Sequence, residues 1–131
     1  MILGGLAELY KIRPSDTYKN LANKLAKAST KLIADDKGIL HDPCGPLCGR
    51  DASQFKGIYM RGLQALNEVF PDPAYVASIR ANANSVWKNN RDDKSNLMSI
   101  DWSGPFIESA NATTHSSAME ALIAAIAVSK Q

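Results

Sequence analysis

The chain has 131 residues, 45% hydrophobic and 7% aromatic, with 15 basic against 13 acidic side chains. That length fits a single domain, residues 1–131, and the apolar fraction excludes an acidic or polar disordered tail. The net charge of +2 is too small and too scattered to point to nucleic acid or an anionic membrane, and no apolar run approaches the ~18 residues of a membrane span.

Helical patterning begins at residue 2 with no lead-in. Met1-Ile-Leu-Gly-Gly-Leu6 lacks the basic start of a signal peptide and meets Glu8 almost at once. Leu6, Leu9 and Ile12 recur at helical spacing and Pro14 stops the run, which predicts a first helix over 2–12. A second is expected over 16–33, with Lys19, Lys24, Lys27 and Lys31 on a polar face. Residues 35–52 read as a long loop. Within it, Cys44 and Cys48 could close a small disulfide, stay as thiols, or give two ligands to a metal. A zinc site needs about four ligands, and only His41 and His115 remain as soft partners, so no metal and no cofactor is assigned. A third helix over 54–69 and a fourth over 72–90 flank Pro71 and Pro73, and Trp87 on the fourth reads as packing between layers. After a second long loop, 91–112, a fifth helix over 113–129 is nearly all apolar beyond Glu120, the pattern of a helix buried on most sides. Asn111-Ala-Thr113 is a glycosylation acceptor triplet, which together with a disulfide would point to an oxidising compartment.

The helices repeat. Gly5-Leu6-Ala-Glu-Leu9-Tyr-Lys-Ile12-Arg-Pro14 is matched by Gly62-Leu63-Gln-Ala-Leu66-Asn-Glu-Val69-Phe-Pro71, and the same offset of 57 carries Tyr18 onto Tyr75 and Ala26 onto Ala83. Each copy is a helix, a Pro-containing turn and a second helix, and a third copy begins at Thr113–Ser129. Tyr18 and Tyr75 therefore read as packing residues of the hairpins. Such αα-hairpins at this period mark helical solenoids and toroids. The expected fold is all-α, an array with first helices inside and second helices outside, both long loops on one face.

The loops carry a resemblance. Gly38-Ile-Leu-His-Asp-Pro-Cys-Gly-Pro-Leu-Cys-Gly-Arg-Asp51, then Gln54-Phe-Lys-Gly-Ile-Tyr-Met-Arg61, Trp87-Lys-Asn-Asn90 and Asp101-Trp-Ser-Gly-Pro105 resemble motifs of glycoside hydrolase family 76. The opening Ile2–Tyr10 is similar to the helix that precedes this loop in the family. That family comprises endo-acting α-1,6-mannanases of bacteria and related cell-wall proteins of fungi. The resemblance implies an (α/α)6 toroid with a sugar groove on the long-loop face, a mannan-type ligand, and a secreted or cell-wall location.

It also implies an incomplete fold: about five helices, the C-terminal part of the toroid. The family's catalytic centre is an adjacent Asp-Asp pair in a tryptophan-rich segment upstream of the first helix of this chain. Asp35-Asp36 and Asp92-Asp93 are adjacent pairs outside that context, and they read as a turn and a solvated charge cluster. No catalytic residue is assigned. Candidate groove residues are Asp51, Gln54, Phe55, Lys56, Arg61, Asp101 and Trp102. Asp51 serves equally as a helix cap, and Trp102 equally as a plug on top of the core. Three readings follow: a truncated, non-catalytic relative, either a degenerate product or a carbohydrate-binding or interaction remnant; an active α-1,6-mannan hydrolase; or an all-α scaffold of unrelated function. With helices 2–12 and 113–129 at the edges, either closure into a compact bundle or self-association into a homo-oligomer is expected.

Overall fold

The structure is a computed structural model that describes residues 2–45 and 51–130. Five helices form in the expected order: α1 (Ile2–Ile12), α2 (Asp16–Ile33), α3 (Phe55–Val69), α4 (Pro73–Ser85) and α5 (Ala112–Val128). Local chemistry fixes their starts. Ser15 caps α2 by accepting from the Thr17 N–H, and Asp72 caps α4 by accepting from the Ala74 N–H, with Pro73 in the first turn. Asn111 opens α5 through a reciprocal box with Thr114, so the glycosylation triplet has a structural use of its own. Among the described residues there is no strand, only two isolated antiparallel bridges. Ala34 with Leu40 and Arg91 with Met98 close the starts of the two long loops.

α3 lies between α1 and α5, while α2 packs on α1 and α4 packs on α3 and α5. First helices thus form an inner layer and second helices an outer one, a partial (α/α)6 array. Small residues set the inner spacing. A Cβ on Gly62 would come within 3.4 Å of the Leu3 Cβ, and one on Gly57 within 2.6 Å of the Ser117 carbonyl oxygen. Leu3, Leu6, Met60, Leu63, Leu66 and Ile79 fill the space between the layers. Tyr75 is buried and donates to Asn23 Oδ1 at 2.5 Å, tying α4 to α2. Tyr18 is half-buried against the same core, so the two repeated tyrosines are packing residues.

Two expectations change. The fourth helix reaches residue 90 as expected, but not as a uniform α-helix. After Ser85 the chain widens into a π turn, Val86–Asn90, which shifts later side chains by part of a turn. Trp87 is consequently 51% exposed, with the Arg91 guanidinium 4.3 Å from its ring centroid, and it does not pack between the layers. The fifth helix is not buried on most sides either. Met119, Ile123 and Ile126 face outward, as do Ile2, Leu9 and Ile12 on α1. The five helices do not close upon themselves, and both edges of the inner layer stay open.

Candidate loop-face site

The two long loops meet over the N-terminus of α3. Lys56, in the first turn of α3, is 4% exposed. Its ammonium pairs with the Asp42 carboxylate from the first loop and donates to the Ile100 carbonyl of the second at 2.8 Å. The same ammonium lies 5.3 Å from the centroid of the Trp102 ring. Asp42 is equally enclosed, its side chain only 6% exposed. Lys56 is therefore a clamp between loops and not an open groove residue.

Amides and hydroxyls brace the rest. The Leu40 N–H donates to Asn82 Oδ1 at 2.8 Å, and Asn82 Nδ2 donates to the Gly38 and Ser78 carbonyls, which fixes the first loop on α4. Asn90 plays the same part for the second loop: its Oδ1 accepts from the Ser99 N–H and its Nδ2 donates to the Ser99 carbonyl. Ser85 Oγ donates to the Trp102 carbonyl at 2.8 Å. These buried polar groups are satisfied by loop backbone, so each restrains its loop.

His41 joins the loops at the surface. Its Nε2 lies 3.1 Å from Asp35 Oδ2 and 3.0 Å from Ser103 Oγ. Both partners meet the same nitrogen, whereas a nucleophile-activating relay needs the carboxylate on one ring nitrogen and the hydroxyl on the other. Asp35 also accepts from the Lys37 and Ile39 N–H groups. Desolvation pushes its pKa up, but the Ile39 N–H, His41 and the Lys37 N–H outweigh it and hold the carboxyl below its usual value. Asp92 is held low in the same manner by the Ser95 hydroxyl and N–H. Both acidic pairs thus contribute a turn-forming carboxylate, as expected for loops.

Two adjoining hollows share His41, Asp42 and Lys56. One of about 90 Å³ is lined also by Gly45, Ile100 and Asp101. The other, about 360 Å³, is walled by Ile33, Pro43, Phe55, Ile58 and Tyr59. Phe55 is 56% exposed on its rim, and Gln54 beside it is exposed as well. Asp101 reaches the smaller hollow, with Oδ1 accepting from the Ser103 N–H at 3.0 Å.

The other candidate residues fall elsewhere. Trp102 is 1% exposed and plugs the top of the core, so its ring offers no face to a ligand. Asp51 makes no side-chain capping bond to the short 3-10 turn, Ala52–Gln54, that leads into α3, because its own backbone is already helical there. Arg61 sits in the second turn of α3 and binds Glu120 of α5 through Nε and Nη2, which serves helix packing. Cys44 is disulfide-bonded, and the chain's other cysteine, Cys48, lies outside the described residues. Asp42 and Ser103 were not singled out from the sequence, and His41 was weighed there only as a metal ligand. Their only signal was position inside the two loop motifs. No group of three or more metal-binding side chains occurs among the described residues.

The family model described as glycosyl hydrolase family 76 matches residues 1–131. Among solved structures, the chain is similar to the Lin0763 protein from Listeria innocua, with a TM-score of 0.88 and 27% identity. That match covers 98% of this chain and 36% of the other, so this chain spans about a third of that protein's length. Among curated proteins, nothing matches.

Proposed function

The chain belongs to glycosyl hydrolase family 76, and on that premise we propose that it is a non-catalytic relative of α-1,6-mannan hydrolases that binds carbohydrate at its loop face. The observation that carries the reading is the employment of four carboxylates of the long loops. Asp42 is neutralised by Lys56, Asp35 is ringed by N–H donors and His41, Asp101 holds the Ser103 N–H, and Asp92 holds Ser95. Retaining hydrolysis needs two carboxyls about 5–5.5 Å apart, one to attack and one to exchange a proton. Carboxylates spent on loop bracing are poor candidates for either role.

Binding makes lighter demands. A sugar ring needs an exposed aromatic face and polar partners at fixed positions, which Phe55 supplies with His41 and Asp101 around the two hollows. The disulfide at Cys44 and the family's cell-wall substrates support a secreted or wall-associated protein. No helix among the described residues is long and apolar enough to cross a membrane.

Calorimetric titration with linear α-1,6-mannooligosaccharides, with product analysis after long incubation, tests this reading. Saturable binding is expected, weakened about tenfold in Phe55→Ala by loss of the stacking face, with no release of shorter sugars. Absence of binding at millimolar sugar would refute the binding role. Hydrolysis abolished by Asp35→Asn or Asp92→Asn would refute the non-catalytic one.

A further inference from the structure

We infer that Asn111 carries an N-linked glycan, attached through Nδ2 while Oδ1 goes on capping α5. Asn111-Ala-Thr113 is the only Asn-X-Ser/Thr triplet in the chain, and its middle residue is not proline. The sugar site leaves the triplet unused, since none of its three residues lines either hollow. The inference rests on the secreted location proposed above, which the disulfide at Cys44 supports, and it is independent of sugar binding.

The fold divides the side-chain amide between two tasks. Oδ1 accepts from the Thr113 N–H at 2.9 Å, the Thr114 N–H at 3.2 Å and the Thr113 hydroxyl at 2.6 Å. Two of these bonds satisfy donors that the first turn of a helix otherwise leaves open, and together they hold the side chain over the end of α5. Nδ2, by contrast, reaches the Ser109 carbonyl only at 3.5 Å, the limit of a hydrogen bond. Glu108, Ser109, Asn111 and Ala112 are all exposed, so the segment around that nitrogen is open to solvent. Capping alone would be served as well by aspartate or serine, and neither offers a nitrogen.

Attachment exchanges one amide hydrogen for a sugar. The donor class is an oligosaccharide linked through a diphosphate to a polyprenyl lipid. Nδ2 bonds to the anomeric carbon of the donor's first N-acetylhexosamine, the bond from that carbon to the diphosphate breaks, and the diphosphate leaves with the electron pair. Nδ2 gives up one proton and keeps one N–H, while Oδ1 remains a carbonyl acceptor. Glycan and cap therefore coexist on one side chain.

The 131-residue chain, sent through a yeast secretory pathway behind a cleavable leader, tests this. Peptide mass spectrometry after amidase removal of glycans should find aspartate in place of Asn111 in most chains. Thr113→Ser should keep the glycan and Thr113→Ala should lose it, although both retain the backbone N–H bonds of the cap. An unglycosylated parent, read in the medium and in the cell membranes, overturns the inference. Because the leader delivers the chain, that result would leave the proposed location untouched. Expression in a bacterial periplasm supplies the same sequence without glycan. The two forms should melt within about 2 °C of each other, whereas Asn111→Ala, which lacks the cap, should melt roughly 3–5 °C lower. A glycosylated form as unstable as Asn111→Ala would show that the glycan displaces the cap, and would overturn the shared use of the side chain.

Discussion

Replacing Lys56 by Met is the sharpest test of how the loop face is held. Methionine keeps most of the volume but removes the charge and its donors. The Asp42 side chain, 6% exposed, then loses its counter-charge, and the Ile100 carbonyl loses its donor at 2.8 Å. Removing one partner of a buried ion pair costs about 3–5 kcal/mol, because the remaining charge stays desolvated. Here the low end applies. Asp42 borders the hollow of about 90 Å³, into which water can enter and soften the penalty. A loss of about 3 kcal/mol is a large share of the ~5–15 kcal/mol of a typical domain, and lowers Tm by roughly 6–12 °C at this size. Asp42→Asn should cost less, about 1–2 kcal/mol, since the amide oxygen and the Ile100 carbonyl still accept from the ammonium. Urea denaturation followed by circular dichroism of the parent, both singles and the double variant gives the coupling directly. We expect at least about 2 kcal/mol of coupling. A Lys56→Met cost below about 1 kcal/mol, or coupling under about 0.5, would refute the clamp.

Three further outcomes follow from the same geometry. Gly104→Ala should destabilise by about 2–3 kcal/mol, since φ is +76° and the new Cβ would run into the Asn89 carbonyl oxygen; Gly5→Ala should stabilise by about 0.5–1 kcal/mol, and urea midpoints separate the two. Asp35 is held below the ordinary aspartate value of about 3.9, so its contribution is present above about pH 4 and is lost as pH falls through the lower folded value; Asp35→Asn should flatten that acid limb, and carboxyl NMR titration reports it. The Tyr75 phenol is pushed up to about 12, first by burial and then by Asp72 and Tyr59, so stability falls as pH rises from about 10 towards 12, and ultraviolet titration should show a late phenol absent in Tyr75→Phe.

The architecture was legible because it rests on periodic features. The recurrence of Leu6, Leu9 and Ile12 as Leu63, Leu66 and Val69 gave the inner helices, and the prolines gave the turns. Loop-face detail was less legible because it depends on which residues meet across distance. Lys56 and Asp42 are 14 positions apart, and Lys56 and Ile100 are 44 apart, so nothing local distinguishes a buried clamp from an exposed sugar contact. Trp102 could be read either way for the same reason, since the Ser85 hydroxyl that holds its carbonyl lies 17 positions away. Trp87 misled because a π turn leaves no clear trace in apolar spacing.

A lysine next to an exposed phenylalanine invites assignment as a ligand contact, yet here the two do different work. Phe55 offers surface, while Lys56 fixes the separation of the loops that carry His41 and Asp101. Rigid placement matters to binding because every loop frozen only on association subtracts from affinity. The two substitutions therefore have separable signatures on the proposed reading. Phe55→Ala removes an exposed ring, so it should weaken sugar binding with stability changed by less than about 0.5 kcal/mol. Lys56 is 4% exposed at the base of both hollows, so Lys56→Met should weaken binding chiefly through loop freedom, together with faster amide exchange at residues 38–42 and 98–103. Equal protection of both loops in Lys56→Met and the parent would show that another element holds the face together. The braces from Asn82 and Asn90 would then be the ones to remove next.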